Sequence, residues 1–438
     1  MRATERAVLE FFRLILHLFF RRVVVIGEDR MPVQGPLVIV ANHENALLDP
    51  FLLLCVSSRP VRFLAKATLF RNPMVAPFLR LLKALPVARR QDEGSDMSRN
   101  LATFEACEHI LLDGGALSLF PEGVSHDAPH LMPLKTGTAR IVGRAFFRGA
   151  RPTLLPAGLL YKAKSAFRSN VTVSFGVPIP YEDLSWGGGE DPAAVEALTE
   201  SIREALVSLT VNAERWEDIR FLERIRGMAL GLAGVEGDAP PEAEVLRTLV
   251  NQFYQARLER PTQVHVLVTR AKAYLRMLDL LELRDADVAR ETTFGAALSY
   301  TWKRLAVIVL GYPAALYGWL FNFIPYFLSG RVALAVAKEG DVVATYKIYG
   351  GLIFFPLFYI GQGALIWWAG GPWWSIPAVA LGGPCGLWAT RYYAIRAQFV
   401  HLAAATITLR TEKGTGERLR QMRAEVLEAL APLVEMYK

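Results

Sequence analysis

Residues 42–50, NHENALLDP, place a histidine and an aspartate directly after a short aliphatic segment. That segment, PLVIVA at 36–41, is typical of a buried strand in an α/β sheet. A histidine such as His43 transfers protons near neutral pH, and a carboxylate such as Asp49 can fix its tautomer and stabilise the imidazolium. The pair therefore predicts a general base and its orienting carboxylate. The alternative is a helix N-terminus capped by Asn42 or Asp49, with His43 incidental.

A second stretch with chemical potential is LFPEGVSHDAPHLMPLKTG at 119–137. The carboxylate of Glu122 follows a predicted strand and suits hydroxyl binding, and Gly123 lets the backbone approach a ligand closely. Lys135 adds a cation just before a predicted helix, whose N-terminal amides form an anion site. Taken alone, however, this stretch is also typical of an ordinary loop.

The same loop contains Ser125, His126 and Asp127, the residue types of a hydrolase triad. Three consecutive residues do not easily converge on one another, and the G-x-S-x-G nucleophile elbow is missing from the sequence. We therefore expect His126 and Asp127 to shape the loop.

Together, the two stretches resemble the glycerolipid acyltransferase superfamily, membrane enzymes that acylate glycerol phosphates and lysophospholipids. NHENALLDP corresponds to the first motif of this family and FPEG to its third. The region 65–92, with AKATLFRNP and LPVARRQD, resembles the second, and LPAG at 155–158 resembles the fourth. The resemblance covers roughly residues 20–180 and consists of four motifs in order.

Two departures from the usual pattern are informative. Five residues separate His43 from Asp49, where the family usually has four, and FPEG continues as VSHD instead of Thr-Arg. Both features resemble the pattern of the fungal glycerol-3-phosphate/dihydroxyacetone-phosphate acyltransferase subgroup. The later LKTG and the hydrophobic C-terminal region resemble that subgroup as well. Because the arginine that usually follows FPEG is missing, another residue must make the contact to the acceptor phosphate. Five cations are the predicted substitutes: Arg62, Lys66, Arg89, Arg90 and Lys135.

The resemblance implies acyl transfer from acyl-CoA or acyl-carrier-protein to a hydroxyl of glycerol 3-phosphate or dihydroxyacetone phosphate. His43 would act as the base and Asp49 as its orienter, with Glu122 and Gly123 placing the glycerol. No cofactor or metal is expected. An alternative acceptor is lysophosphatidate or another lysophospholipid. A more distant alternative is a non-catalytic, membrane-anchored lipid-binding protein, although every motif residue with a chemical role is present.

Composition indicates a membrane protein. Of 438 residues 52% are hydrophobic, the mean hydropathy is +0.25, and the apolar excess lies beyond residue 304. The net charge of +7 suits an anionic membrane surface or substrate. No nucleic-acid-binding motif occurs. The three cysteines are isolated, which favours a reducing, intracellular location. We expect the catalytic domain to face the cytoplasm.

Strands alternating with helices predict an α/β domain with a central mixed sheet flanked by helices, followed by an all-helical segment and hydrophobic membrane helices. The predicted strands lie at 22–27, 36–41, 61–64, 116–120, 152–160 and 171–175, and one predicted helix lies at 77–85. The predicted domains are an amphipathic membrane-interface helix at 1–22, a catalytic domain at 23–182, a helical region at 183–303, hydrophobic helices at 304–390 and a helical tail at 391–438.

The N-terminal helix has a basic polar stripe beside a broad aromatic and aliphatic face, so it suits a membrane interface, although packing on the domain core is the alternative. Among the hydrophobic segments, the apolar runs 305–328 and 348–369 are long enough to cross a bilayer, and 373–389 is shorter. The alternative is a buried hairpin in a soluble protein. Prolines in the first run also allow a re-entrant hairpin.

Overall fold

The computed structural model describes residues 3–71, 75–87, 98–232, 242–289, 294–411 and 414–434. The chain divides into two compact units. The first consists of residues 1–215, 241–247 and 336–348, and the second of 216–240, 248–335 and 349–438. The first unit thus continues past residue 182, where we placed the end of the catalytic domain. The predicted domain boundaries stay predictions.

A mixed seven-stranded sheet forms the centre of the first unit, which confirms the predicted fold class. Its order is β1-β7-β6-β2-β5-β3-β4, and every neighbouring pair is parallel except β6 and β7. The strands are β1 Phe20–Ile26, β2 Leu37–Ala41, β3 Arg62–Lys66, β4 Leu85–Val87, β5 Ala116–Leu119, β6 Thr153–Tyr161 and β7 Ser169–Phe175.

Helices cover both faces of this sheet. They are α1 Ala3–Phe19, α2 Leu48–Val56, α3 Ala76–Leu81, α4 Ser98–Leu112, α5 Gly137–Phe147 and α6 Pro192–Leu209. Short 3-10 turns lie at Glu28–Arg30, Ala67–Arg71, Gly187–Gly189 and Gly340–Val342.

The helix predicted at 77–85 forms only in its first part, and its predicted C-terminal end is wrong. The α3 helix ends at Leu81, and Leu85–Val87 forms strand β4 beside β3. Lys83 adopts a left-handed φ of 55°, which ends the helix, and Pro86 has no N–H with which to continue it. The short apolar run therefore extends along the edge of the sheet.

Alternate residues of β2 enter two separate cores, as strand geometry requires. Val38 and Val40 pack with residues of α4, α5 and α6, whereas Leu37 and Ile39 pack with residues of α1 and α2. All four side chains are completely buried. This explains why a central parallel strand reads as a continuous aliphatic run.

The second unit is helical in its described residues. It contains α7 Trp216–Leu232, most of α8 Glu242–Glu259, α9 Pro261–Leu280, α10 Asp285–Ala289, α11 Phe294–Val336, α12 Val343–Gly370, α13 Pro372–Thr411 and α14 Thr415–Val434. By length and composition alone, residues 304–336 and 340–370 are apolar enough to cross a membrane. The shorter apolar run predicted at 373–389 is the first half of α13.

Close contacts join α11, α12 and α13. The Asn322 amide donates to the carbonyl of Gly382 at 2.9 Å and accepts from the Tyr359 hydroxyl at 2.7 Å. A Cβ on Gly318 would lie 2.0 Å from the carbonyl oxygen of Cys385. Small residues and interhelical hydrogen bonds of this kind are how helices associate in lipid.

Gly158, within the fourth predicted motif, offers a test of the packing between β6 and α6. A Cβ there would lie 2.4 Å from the backbone oxygen of Leu209, at the end of α6. We expect Gly158→Ala to destabilise the protein by about 1–3 kcal/mol, because backbone must move. Gly227→Ala on α7, where a Cβ meets nothing within 4 Å, is the matched control and should stabilise by up to about 1 kcal/mol. Thermal unfolding midpoints compare the two, and a Gly158→Ala midpoint equal to the control would refute the packing.

Candidate active site

The predicted site residues gather at one edge of the sheet. Strands β6, β2, β5 and β3 are mutually parallel, so their carboxyl ends share that edge. His43 follows β2, Glu122 follows β5, Lys66 ends β3 and Tyr161 ends β6. Open α/β sheets bind ligands at the carboxyl ends of their strands.

Asp49 holds the His43 ring from one side. His43 Nδ1 lies 2.9 Å from Asp49 Oδ2, and the same oxygen accepts the backbone N–H of Asn45 at 2.7 Å. The other carboxylate oxygen accepts the hydroxyl of Tyr161. Burial, reinforced by the charge of Asp49, raises the pKa of Tyr161 well above its usual value, so it remains a donor. An ionised carboxylate only accepts hydrogen bonds, so the His43 proton is assigned to Nδ1.

The other ring nitrogen of His43, Nε2, has no hydrogen-bond partner among the described residues. The side chain is 11% exposed, and the Phe120 ring stacks on the imidazole with centroids 4.3 Å apart. The ring is therefore fixed by Asp49 and Phe120 while Nε2 keeps its lone pair. This is the arrangement that a general base requires.

The turn from His43 to Asp49 accommodates its five intervening residues with a tight bend. Ala46 lies in the left-handed region at φ 37°, and Leu48 donates its N–H to Asn45 at 2.8 Å. Leu47 takes the N-cap position of α2 without a side-chain hydrogen bond. Neither Asn42 nor Asp49 is therefore the N-cap of α2, so the alternative of a capped helix is wrong.

Asn42 instead anchors the turn to β6. Its amide nitrogen donates to the carbonyl of Leu159 at 3.0 Å, and its amide oxygen accepts the N–H of the same residue at 2.7 Å. The side chain thus reproduces the bonding of a neighbouring strand just beyond the end of β2.

Glu122 differs from its predicted role of contacting acceptor hydroxyls. Its side chain is fully buried, and Oε1 accepts the backbone N–H of His43 at 2.7 Å. Oε2 accepts the N–H of Met132 at 2.8 Å and also bonds to Nε2 of His126. Because both oxygens already have protein donors, Glu122 positions His43 and the loop after FPEG.

His126 lies directly beside the first turn. Its N–H donates to the carbonyl of His43 at 3.2 Å, and its Nδ1 accepts the N–H of Ala128 at 3.1 Å. The proton is therefore assigned to Nε2, facing Glu122. Burial acts to lower the pKa of His126, but the hydrogen bond and charge of Glu122 outweigh it and raise this pKa above its usual value.

Ser125, His126 and Asp127 do not form a triad. The Ser125 hydroxyl bonds to Asp341, His126 bonds to Glu122, and Asp127 pairs with Lys164 at 2.6 Å. Each side chain has its own partner, so the three residues hold the loop in place and do not bond to one another.

The predicted cations are distributed unevenly. Lys66 lies at the carboxyl end of β3, and the exposed Lys135 extends over Gly123, where a Cβ would lie 2.8 Å from its Nζ. Arg62 begins β3 and pairs with Leu117, so it lies about 13 Å along the strand from Lys66. This placement argues against acceptor binding by Arg62, because the amino end of a parallel strand points away from the site edge. Arg89 and Arg90 lie outside the described residues.

Sequence reasoning missed Tyr161 and Lys164. Tyr161 ends β6, the strand that contains the fourth motif, so its position at the shared edge was a usable signal. Lys164 donates to the carbonyls of Glu44 at 3.0 Å and His126 at 3.2 Å. It thereby joins the two site turns, which are the turn from His43 to Asp49 and the loop after FPEG. No motif marked it.

Comparisons with known proteins identify the part of the chain that carries these residues. The model of the Acyltransferase family matches residues 22–159, which contain His43, Asp49 and Glu122. Residues 22–159 form an acyltransferase domain. The acyltransferase domain therefore includes β1 to β5 almost completely and most of β6.

Two curated relatives extend beyond the acyltransferase domain. An uncharacterized acyltransferase of Schizosaccharomyces pombe is 24% identical over 79% of this chain and 66% of its own length. Glycerol-3-phosphate O-acyltransferase 1 of Saccharomyces cerevisiae is 25% identical over 80% of this chain and 60% of its own length. The chain thus spans less than two thirds of either relative. A crystal structure of the 1-acyl-sn-glycerophosphate acyltransferase of Thermotoga maritima aligns with a TM-score of 0.36 and 21% identity, covering 47% of this chain and 81% of that one.

Glu44, next to the base, predicts a pH-dependent stability. Burial, reinforced by the charge of Asp49, raises the pKa of Glu44 from 4.5 to about 7. The folded state therefore binds this proton more tightly than the unfolded state. The stabilisation is complete below about pH 4.5 and is lost as the pH rises through about 7.

We expect the wild type to lose up to about 3 kcal/mol of unfolding free energy across this interval through Glu44. Glu44→Gln should remove that loss, because it has no proton to release. Thermal unfolding of both proteins at about pH 5 and about pH 8 measures the difference. Parallel pH dependences in the two proteins would show that Glu44 does not titrate there.

Proposed function

We propose that this protein is a membrane-associated O-acyltransferase that moves a fatty acyl group from an acyl thioester to a hydroxyl of glycerol 3-phosphate or dihydroxyacetone phosphate. The main support is the hydrogen-bonded pair of His43 and Asp49 inside an acyltransferase domain. Nε2 of His43 has no hydrogen-bond partner among the described residues. The glycerol-phosphate acceptor is supported by the Saccharomyces cerevisiae relative, whose alignment covers 80% of this chain.

The chemistry follows from the geometry of the pair. Nε2 of His43 takes the proton of the acceptor hydroxyl while that oxygen attacks the thioester carbonyl. The new ester C–O bond forms, the C–S bond breaks, and the proton on Nε2 passes to the leaving thiolate. Asp49 stabilises the imidazolium that exists between these transfers. General-base catalysis of this kind contributes about 10² to 10⁴ in rate.

Cations near the base would hold the acceptor phosphate and the developing oxyanion. Lys66 ends β3 at the site edge, and Lys135 lies over Gly123 just before α5. The first amides of α5 point out of its N-terminus with a partial positive charge, which suits a phosphate. These groups take the place of the arginine that usually follows FPEG.

Membrane association is supported by the two long apolar helices and by α1. Phe11, Leu14 and Leu18 of α1 are 42%, 58% and 41% exposed, which leaves an apolar face available to lipid. The catalytic domain would face the cytoplasm, where acyl-CoA or acyl-carrier-protein supplies the acyl group.

Replacing His43 tests the proposed base. We expect His43→Ala to fold normally. Its turnover with labelled acyl-CoA and glycerol 3-phosphate should fall about 10²- to 10⁴-fold. Asp49→Asn should also be impaired, because its amide can present an N–H to Nδ1 and select the wrong tautomer. His109→Ala, an exposed position on α4, is the matched control and should retain activity. Wild-type turnover by His43→Ala would eliminate the mechanism.

Acceptor profiling with one acyl-CoA tests the substrate. We expect a higher kcat/KM for glycerol 3-phosphate or dihydroxyacetone phosphate than for lysophosphatidate. Lys66→Ala and Lys135→Ala should each raise the acceptor KM about tenfold without changing the acyl-CoA KM, because each loses a charge-assisted contact to phosphate. Lys272→Ala, exposed on α9, serves as the control. A preference for lysophosphatidate would contradict the acceptor assignment, and an unchanged acceptor KM would contradict the phosphate contacts.

A further inference from the structure

The segment 336–348, which contains the connection between the apolar helices α11 and α12 and the first residues of α12, packs on the acyltransferase domain. It belongs to the same compact unit as residues 1–215. Ala344, near its centre, is completely buried in the core that contains Leu37 and Ile39 of β2. A connection between two apolar helices is thus built into the catalytic unit.

One end of this segment holds the loop after FPEG. The hydroxyl of Ser125 donates to Asp341 Oδ2, although 216 residues separate them in the chain. Asp341 is 2% exposed, and its other oxygen, Oδ1, has no partner among the described residues. A buried carboxylate with one unpaired oxygen is costly to stability, which points to a functional reason for its position.

Neighbouring contacts fix the segment on two loops at once. A Cβ on Gly340 would lie 2.8 Å from Asp127 Oδ2, so the backbone lies directly against that side chain. Lys347 Nζ donates to the carbonyl of Ser165 at 2.7 Å. Asp127 pairs with Lys164, the residue that joins the two site turns, and Ser165 follows Lys164 in the chain.

We propose that residues 336–348 complete the acyltransferase site from the same side of the membrane as residues 1–215, with Asp341 as the positioning residue of the Ser125 turn. The positioning role rests on the proposed function, whereas the placement of the segment does not. Ser125 lies between Glu122 and His126, both of which bond to His43. Asp341 therefore acts on the base through this turn.

The placement also constrains how α11 meets the membrane. Between residues 215 and 336, the described part of the chain contains one helix long and apolar enough to cross, 304–336. A crossing helix needs about 20 residues, which is more than the two undescribed stretches in this interval contain, 233–241 and 290–293. A single crossing by 304–336 would put the segment 336–348 on the opposite face from Ser125 and Asp127. Because these residues are in contact, 304–336 must be embedded in lipid without carrying the chain across.

An engineered disulfide tests the placement without any assay of turnover. The ideal Cβ on Gly340 lies 3.9 Å from Cβ of Asp127, close to the average for disulfides. In a chain whose three native cysteines are replaced by alanine, Asp127→Cys with Gly340→Cys should form a cross-link in native membranes. The closed loop should change mobility on a non-reducing gel, and the two joined peptides should be detected by mass spectrometry. No more cross-link than in the single-cysteine controls would overturn the placement.

Labelling in sealed vesicles tests the sidedness and does not need the disulfide to form. Lys338→Cys and Glu28→Cys, both exposed positions, should react with a membrane-impermeant maleimide from the same face. Labelling of the two positions from opposite faces would overturn the proposal that α11 does not cross.

Kinetics of Asp341 and Ser125 variants test the positioning role. Asp341→Ala and Ser125→Ala should each lower kcat/KM for the acceptor about tenfold, the value of one hydrogen bond to a charged group. The double variant should lose no more than either single one, because both remove the same bond. Asp341→Asn, which still accepts from Ser125, should stay within about twofold of wild type. Additive losses, or an Asp341→Asn variant as impaired as Asp341→Ala, would contradict the role.

The outcomes separate the two proposals. If the wild type shows no acyl transfer while the cross-link and the labelling succeed, the proposed function fails and the placement stands. If acyl transfer depends on His43 while the cross-link or the labelling fails, the placement is wrong and the function stands.

Discussion

The site depends on two buried carboxylates that hold His43 from both its ring and its backbone. Asp49 accepts from Nδ1 of His43, the N–H of Asn45 and the hydroxyl of Tyr161. Glu122 accepts the backbone N–H of His43. Isolated buried carboxylates would be strongly destabilising, and multiple donors are what permit them in a protein interior. The donors come from several elements, so the fold must assemble before the imidazole is positioned.

Much of this arrangement follows from the sequence. Aliphatic runs mark the strands, and the parallel topology brings the residues after β2 and β5 to one edge. The hydrogen bond between His43 and Asp49 also agrees with the pattern, because the turn at Ala46 absorbs the residue that exceeds the usual spacing. The catalytic roles of both residues stay predictions until activity is measured.

Other features were not readable from local patterns. Arg62 and Lys66 belong to one strand, and only its exact start shows that Arg62 lies away from the site edge. Glu122 looked like a ligand-binding carboxylate, but its bonds show that it positions other groups. The contact between Ser125 and Asp341 joins residues 216 positions apart, and no sequence periodicity encodes such a distance. The strand β4 was missed because three residues are too few for a period to show.

The central claim is direct transfer to the acceptor, with His43 as base and no acyl-enzyme intermediate. A single turnover of purified protein with labelled acyl-CoA, quenched in acid with and without glycerol 3-phosphate, tests it most directly. The account predicts labelled acylglycerol phosphate when the acceptor is present, and no label on the denatured protein when it is absent. Label bound covalently to the protein that is released on adding acceptor would contradict it.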